Sequence, residues 1–298
     1  MKKFILSILL CICAVIAPVL SACSKKQTSP TVEYTNDYVI YKNYSYGDYG
    51  ERSLYDVALP KNTTEASMMF FIHGGGWSAG SKDGGVQSMI NANHGSYIYA
   101  ALNYRYISKT VSCYDILDDI TNCLNAIKTK ATENGITVKK VAFWGHSAGG
   151  HLSLMYAYKM KEQNPFETAF VADLSGPTDL TDENYYKNET YLPTYESWFS
   201  NLSGKEFVTS ERESVKEDLL AVSPISYIQH AVPTIIAHGD VDDIVPYSNA
   251  QALHQALDDA GVTNEFITFS NSGHGLDNDA EAMKKYNQTF AEYKELYL

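Results

Sequence analysis

Short apolar runs typical of β-strands recur along this chain of 298 residues, and segments with helical spacing of apolar residues lie between them. This alternation is typical of βαβ units and predicts an α/β fold with a mostly parallel central sheet flanked by helices. Two opening runs, at 38–46 and 54–59, alternate in a way that favours an antiparallel start. The predicted parallel strands cover 68–72, 97–102, 141–144, 169–174, 234–238 and 265–269, and the predicted helices cover 115–132, 151–161 and 249–260.

A Gly-x-Ser-x-Gly pentapeptide lies between one of these strands and the helix that follows it. It runs from Gly145 to Gly149, with Ser147 at its centre. A sharp strand-to-helix turn pushes a serine side chain above the sheet, and small flanking residues let the backbone bend that tightly. Ser147 is therefore a candidate nucleophile. The alternative is a glycine-rich turn that only begins a helix.

A nucleophilic serine needs a histidine as base and an acid that orients the histidine. His274 lies in a glycine-flanked loop directly after the run at 265–269, which makes it the best candidate base. The loop after the run at 234–238 carries Asp240, Asp242 and Asp243. Only one of these carboxylates is needed, and their spacing alone does not choose between them.

A run of three glycines follows the predicted strand at 68–72 and is suited to an oxyanion hole. The N–H groups of Gly74 and Gly75, together with that of Ala148, are predicted to donate hydrogen bonds to the oxyanion of a tetrahedral intermediate. The segment 75–82 nearly matches a phosphate-binding P-loop, but Ser81 stands where the lysine belongs, and Lys82 comes one position late. Without metal-ligand spacing or a nucleotide motif, we expect neither a metal nor a cofactor.

The first 22 residues have the pattern of an export signal. Lys2 and Lys3 precede an apolar run, and the segment 20–23, which ends at Cys23, resembles the lipobox of bacterial lipoproteins. That resemblance implies lipidation of Cys23, a flexible tether over residues 23–36 and anchoring to the outer face of a bacterial membrane. The alternative is an ordinary signal peptide or an uncleaved anchor.

The net charge argues against some classes of binding partner, and the cysteine spacing argues against a disulfide. Without residues 1–22 the chain has a formal net charge of −14, which argues against nucleic acids and anionic membrane surfaces as partners. The lipid anchor would then be the chain's contact with a membrane. Cys113 and Cys123 are separated by about 15 Å if the segment between them is helical, too far for a disulfide, so we expect two free buried thiols.

The segment 181–220 interrupts the alternation of strands and helices. It is polar yet rich in aromatic residues, and it is longer than an ordinary connection. Because it follows the run at 169–174, we expect it to lie over the carboxyl ends of the strands. We interpret it as a cap insertion that shapes a substrate pocket, with a surface decoration as the alternative.

From about Tyr44 to the C-terminus the chain resembles the α/β-hydrolase carboxylesterases. The resemblance is to their His-Gly-Gly-Gly branch, which includes bacterial acetyl and feruloyl esterases and relatives of hormone-sensitive lipase. It implies an α/β-hydrolase catalytic domain over 37–298, with Asp242 as the acid and Asp240 as the fallback, and with Trp77 and Arg105 in packing roles. The matching segments are LYDVALP at 54–60, HGGGWSAGSK at 73–82, NYRY at 103–106, GHSAGGH at 145–151, SGPTDL at 175–180, HGDVDDIVP at 238–246 and SGHGL at 272–276.

The expected function is hydrolysis of acyl esters by a serine carboxylesterase that forms an acyl-enzyme. The expected substrate is a small-molecule or carbohydrate-linked ester, with acetyl or feruloyl groups as the acyl part. One alternative is an exopeptidase of the prolyl-oligopeptidase type. Another is an inactive hydrolase fold that serves as a binding module on the cell surface.

Overall fold

In the computed structural model, residues 29–92, 95–206 and 208–298 are described. The predicted signal peptide, Cys23 and the beginning of the tether lie outside the described residues. Within them, nine strands form one sheet in the order β1-β2-β3-β5-β4-β6-β7-β8-β9. The strands are β1 Thr31–Tyr34, β2 Tyr38–Ser45, β3 Leu54–Pro60, β4 Glu65–Ile72, β5 Ile98–Leu102, β6 Thr137–His146, β7 Glu167–Leu174, β8 Thr234–Gly239 and β9 Asn264–Phe269.

The sheet is antiparallel at one edge and parallel elsewhere. Strands β1, β2, β3 and β5 pair antiparallel, whereas β5, β4, β6, β7, β8 and β9 pair parallel. The predicted antiparallel start and the predicted parallel strands are therefore confirmed. Because the parallel strands all end at the same edge, the loops that follow β4, β6, β8 and β9 meet there.

Helices cover both faces of this sheet, which accounts for strands that are buried on both sides. Helices α2, α3 and α6 pack on one face, and α1 and α7 pack on the other. The helices are α1 Gly85–Ala92, α2 Cys113–Glu133, α3 Ala148–Lys159, α4 Leu192–Ser203, α5 Lys216–Leu220, α6 Tyr247–Asp259 and α7 Ala280–Tyr297.

Local sequence signals set the ends of two helices. A capping box begins α2, because Ser112 and Asp115 satisfy each other's backbone N–H groups. Asp279 caps α7 by accepting the N–H of Ala282 at 2.9 Å. Cys113 and Cys123 both lie on α2, buried and free, as expected.

The N-terminal boundary differs from the expected one. Residues 31–34 were predicted to belong to a flexible tether, but they form β1, which pairs with β2 at the exposed edge of the sheet. The sheet therefore begins at Thr31 rather than at residue 37. No helix among the described residues combines the length and the apolar character needed to cross a membrane.

The segment 181–220 is a packed part of the domain. It contains α4, α5 and two 3₁₀ turns, Tyr185–Lys187 and Thr209–Val215. Tyr185, Tyr195 and Phe199 are almost completely buried and belong to the same apolar cluster as α2 and α3. Because these three aromatic residues belong to the main core, the segment is a packed cap and not a surface decoration.

Candidate active site

Ser147 occupies the sharp turn between β6 and α3. Its backbone has φ 59° and ψ −125°, a conformation that costs a residue with a side chain about 1–3 kcal/mol. Two glycines permit the turn, because a Cβ atom on Gly145 would lie 2.5 Å, and one on Gly149 2.1 Å, from the carbonyl oxygen of Ile72. The N–H of Ser147 also donates to the carbonyl of Leu174 on β7 at 2.8 Å. A constrained turn therefore presents the Ser147 side chain at the carboxyl edge of the sheet.

The glycine loop after β4 packs directly against this turn. A Cβ atom on Gly74 would lie 2.6 Å from the carbonyl oxygen of His146 and 3.4 Å from Cβ of Ser147, so a larger residue does not fit. Ala148 is the first residue of α3, where N–H groups have no acceptor within the helix. Gly74 and Ala148, two of the predicted oxyanion donors, thus flank Ser147.

Two buried side chains brace the glycine loop. Gly75, the third predicted donor, has φ 111°, which favours glycine, and Trp77 has φ 54°. The indole N–H of Trp77 donates to Nδ1 of His151 at 3.2 Å, and Nε2 of His151 donates to the carbonyl of Val222 at 2.8 Å. Burial lowers the pKa of His151 to about 4, so this ring stays neutral and accepts the Trp77 bond. The packing role implied for Trp77 agrees with this geometry.

The loop after β8 brings one carboxylate into contact with His274. Oδ2 of Asp242 lies 2.7 Å from Nδ1 of His274, and Oδ1 accepts the N–H groups of Ile244 and Val245, both at 2.9 Å. Because a carboxylate only accepts, Nδ1 of His274 carries the proton and Nε2 keeps its lone pair. Asp240, the fallback acid, is exposed.

A second histidine shares this carboxylate. Nε2 of His238 lies 3.2 Å from Oδ2 of Asp242 and 3.0 Å from the carbonyl of Val245, and the side chains of His238 and Asp242 are both 0 % exposed. Burial alone would raise the pKa of Asp242, but hydrogen bonds with His238 and His274 hold it well below its usual range. Asp242 therefore stays ionised and fixes the orientation of His274. Nothing in the local sequence predicts this role of His238 beyond its place in the His-Gly-x-x-Asp segment.

His146 links the loop that carries His274 to the turn that carries Ser147. Its Nε2 donates to the carbonyl of His274 at 2.6 Å, and the two rings lie 4.8 Å apart. Burial, with a smaller contribution from His274, lowers the pKa of His146 to about 4, so the ring is neutral. The loop that carries His274 is thereby tied to the residue that precedes Ser147. His146 lies inside the pentapeptide, yet its position there does not predict this contact.

A small pocket adjoins Ser147, and we call it the Ser147 pocket. Its free volume is about 10 Å³. Its walls come from the cap, from the glycine loop after β4 and from the loop after β8 that carries Asp242, which we call the acid loop. Its walls include Gly76, Trp77, Tyr185, Tyr195, Trp198 and Val245. The predicted cap therefore does line a pocket at the candidate nucleophile.

A larger and more open cleft of about 330 Å³ is also lined by the loop after β8. Amide and carboxylate side chains dominate its walls, among them Asn184, Asn188, Asp240 and Asp243. Tyr195 lines both spaces, and its hydroxyl donates to the carbonyl of Ile244 at 2.9 Å. The cap thus contributes to the walls of both the Ser147 pocket and the open cleft.

Lys82, the lysine of the near P-loop match, is buried and makes structural contacts. Lys82 is 1 % exposed, and its Nζ lies 2.8 Å from Asp56 and 2.7 Å from the side-chain oxygen of Asn43. Its N–H also donates to the side chain of Asn103 at 2.8 Å. These contacts join the end of the glycine loop to β2 and β3. No group of three or more metal-binding side chains occurs among the residues that the structure describes.

A strained serine after a central strand, followed in the chain by an acid and then a histidine at the same sheet edge, is the arrangement of α/β hydrolases. Residues 55–257 match the BD-FAE family, and the chain belongs to that family. Residues 221–295 also match the dienelactone hydrolase family, which covers the acid and histidine loops.

Similar proteins agree with this assignment. The probable carboxylic ester hydrolase LipM of Mycobacterium tuberculosis is 28% identical over 238 residues, which are 73% of this chain and 53% of LipM. The chain thus spans about half the length of that relative. Esterase B of Lactobacillus rhamnosis has a similar fold, with a TM-score of 0.69 at 17% identity over 88% of this chain and 86% of the esterase. A carbohydrate esterase from gut microbiota superposes with a TM-score of 0.67 at 20% identity, over 88% of this chain and 99% of that chain.

Proposed function

We propose that this protein is a serine carboxylesterase that hydrolyses acyl esters through an acyl-enzyme. The observation that carries the proposal is the 2.7 Å contact between Asp242 and Nδ1 of His274, which leaves Nε2 of His274 free to act as a base for Ser147. Membership of the BD-FAE family and similarity to the ester hydrolase LipM support the same reaction class.

The mechanism needs two steps at one serine. Oγ of Ser147 attacks the ester carbonyl carbon while Nε2 of His274 takes the hydroxyl proton, and the resulting oxyanion accepts hydrogen bonds from the glycine loop and from Ala148. The tetrahedral intermediate expels the alcohol, which leaves with the proton held by His274. Water then attacks the acyl-enzyme by the same route and releases the carboxylic acid.

Asp242 contributes through His274. An ionised carboxylate on Nδ1 fixes the tautomer of the imidazole and stabilises the imidazolium formed during each proton transfer. The depressed pKa of Asp242 keeps it ionised throughout the neutral range. Removal of either partner would therefore lower the rate of both steps.

For the substrate we propose acyl esters on carbohydrate, with acetyl and feruloyl groups as the candidate acyl parts. The carbohydrate esterase with a similar fold supports this choice, as does the open cleft lined by amide and carboxylate groups beside the acid loop. Such side chains are suited to hydrogen bonding with sugar hydroxyl groups.

The test is ester hydrolysis by the protein without residues 1–22 and by its Ser147→Ala variant. We expect wild type to hydrolyse p-nitrophenyl acetate or acetylated xylan, and Ser147→Ala to lose about 10⁴-fold or more in kcat because the nucleophile is removed. An aminoacyl amide assayed in parallel separates an esterase from an exopeptidase. Equal rates for Ser147→Ala and wild type would contradict the proposal.

A further inference from the structure

Among the cap side chains that line the Ser147 pocket, Trp198 is the least buried. This residue lies on α4, and its ring packs directly over the third glycine of the glycine loop. A Cβ atom on Gly76 would lie 2.3 Å from Cζ2 of the indole, so no space separates the ring from the loop backbone. The indole also contacts Trp77 and Tyr195 at centroid distances of 5.9 and 6.4 Å.

The remaining walls of the pocket are held in place. Trp77 is 1 % exposed and hydrogen-bonded to His151. Tyr195 is 2 % exposed, and its hydroxyl is bonded to the carbonyl of Ile244. Trp198 is only partly buried, and its partners in the pocket are aromatic rings and a glycine. The size of the pocket therefore depends on the indole of Trp198.

An ester bound at Ser147 places its acyl group and its alcohol on different sides of the reacting carbonyl. A carbohydrate alcohol is a ring joined to further sugars, and a ring of that size does not fit into a space of about 10 Å³. The group that enters the Ser147 pocket must therefore be the acyl group. Its free volume of about 10 Å³ corresponds to roughly one water-sized sphere, which is the space of a single methyl group.

We propose that Trp198 sets the acyl length of this enzyme and restricts it to acetyl esters. The inference rests on the proposed function and makes it more specific, because a feruloyl group has no room unless the indole is displaced. Trp198 is thus a specificity-determining residue on the cap, and the chain favours acetyl over feruloyl groups as the acyl part of its substrate.

The experiment compares kcat/KM for p-nitrophenyl acetate, butyrate and octanoate and for methyl ferulate. The proteins are wild type, Trp198→Ala and Trp198→Phe, with Tyr191→Ala as a control at the N-cap of the same helix, outside the pocket. One excess methylene in a pocket changes kcat/KM by roughly 10- to 200-fold. We therefore expect wild type to prefer acetate over butyrate by at least about 10-fold.

The ratio of acetate to butyrate kcat/KM is expected to fall about 10-fold or more in Trp198→Ala and by an intermediate factor in Trp198→Phe. Tyr191→Ala should keep the wild-type ratio. If Trp198→Ala does not fold by circular dichroism, Trp198→Phe serves as the test.

Two results would overturn the inference alone: wild type that turns over methyl ferulate or octanoate as readily as acetate, or Trp198 variants that keep the wild-type ratio. Absence of Ser147-dependent turnover of every ester would overturn the proposed function together with it. The two failures are thus distinguishable.

Discussion

Two histidines share one carboxylate at the centre of the site. Asp242 accepts from His274 and His238 on one oxygen and from two backbone N–H groups on the other. Four donors around a buried carboxylate leave it no freedom to rotate. His274 is therefore oriented by an acid that is itself held by the loop and by strand β8.

This arrangement predicts different consequences for neighbouring carboxylates. Asp242→Asn should lower kcat/KM about 10³- to 10⁴-fold, because the amide favours the wrong tautomer of His274. With p-nitrophenyl acetate, which has no sugar to reach the cleft that Asp240 lines, the matched control Asp240→Asn should stay within a few-fold of wild type because Asp240 is exposed. Ester hydrolysis by the two purified variants is the measurement. A large loss in Asp240→Asn with a small loss in Asp242→Asn would assign the acid to Asp240.

The limits of sequence reasoning at this scale are visible in particular residues. The motifs around Ser147 and His274 have recognisable neighbours along the chain, so those positions could be predicted. The roles of His238 and His146 depend on which loops meet in space: His238 contacts a carboxylate four positions later, and His146 contacts a carbonyl 128 positions away. Such contacts have no local pattern.

Among the elements, the glycine loop depends on a buried ion pair at its end. Lys82 and Asp56 are both nearly inaccessible, and Asn43 shares the ammonium group. A buried ion pair contributes little in itself, but loss of one partner leaves the other charge without compensation. Replacement of either Lys82 or Asp56 is therefore expected to disturb the position of the glycine loop.

Lys82→Met should lower the free energy of unfolding by about 3–5 kcal/mol, since Asp56 remains buried without its partner. Lys139→Met is the matched control, because the pair that Lys139 forms with Glu65 is exposed and should contribute at most about 1 kcal/mol. Urea unfolding monitored by fluorescence gives both values. Similar small losses in the two variants would show that the buried pair does not hold the loop.

Strands were easier to predict than helices for a physical reason. A parallel strand buried on both faces reads as a short continuous apolar run, and each predicted run coincides with an observed strand. The apolar spacing does not predict helices α1, α4, α5 and α7. In α4 the buried side chains Tyr195, Phe199 and Leu202 do have helical spacing, but Pro193 and the polar residues around them obscure it.

At the scale of the whole molecule, the N-terminal sequence bears on whether the protein is attached to a membrane. The strongly acidic body gives it no attraction to an anionic surface. We propose that Cys23 carries a lipid and anchors the protein to the outer face of a bacterial membrane. The motif at 20–23 supports this proposal.

Expression of the full chain in a bacterium, followed by membrane fractionation, tests the anchor. Wild type should sediment with membranes and incorporate labelled palmitate. Cys23→Ala should show less of both, because stable anchoring needs two or more acyl chains. Cys113→Ala controls for an effect of thiol loss elsewhere. Equal palmitate labelling of Cys23→Ala and wild type would contradict the proposal.

The central claim is that Ser147 is the nucleophile, and covalent trapping tests it most directly. A fluorophosphonate probe reacts when a serine oxygen attacks phosphorus and fluoride leaves, which requires the same activated hydroxyl as ester hydrolysis. We predict one adduct per chain, located on Ser147 by peptide mass spectrometry and abolished in Ser147→Ala. Folded wild type that takes up no probe, or an adduct that persists in Ser147→Ala, would contradict the account.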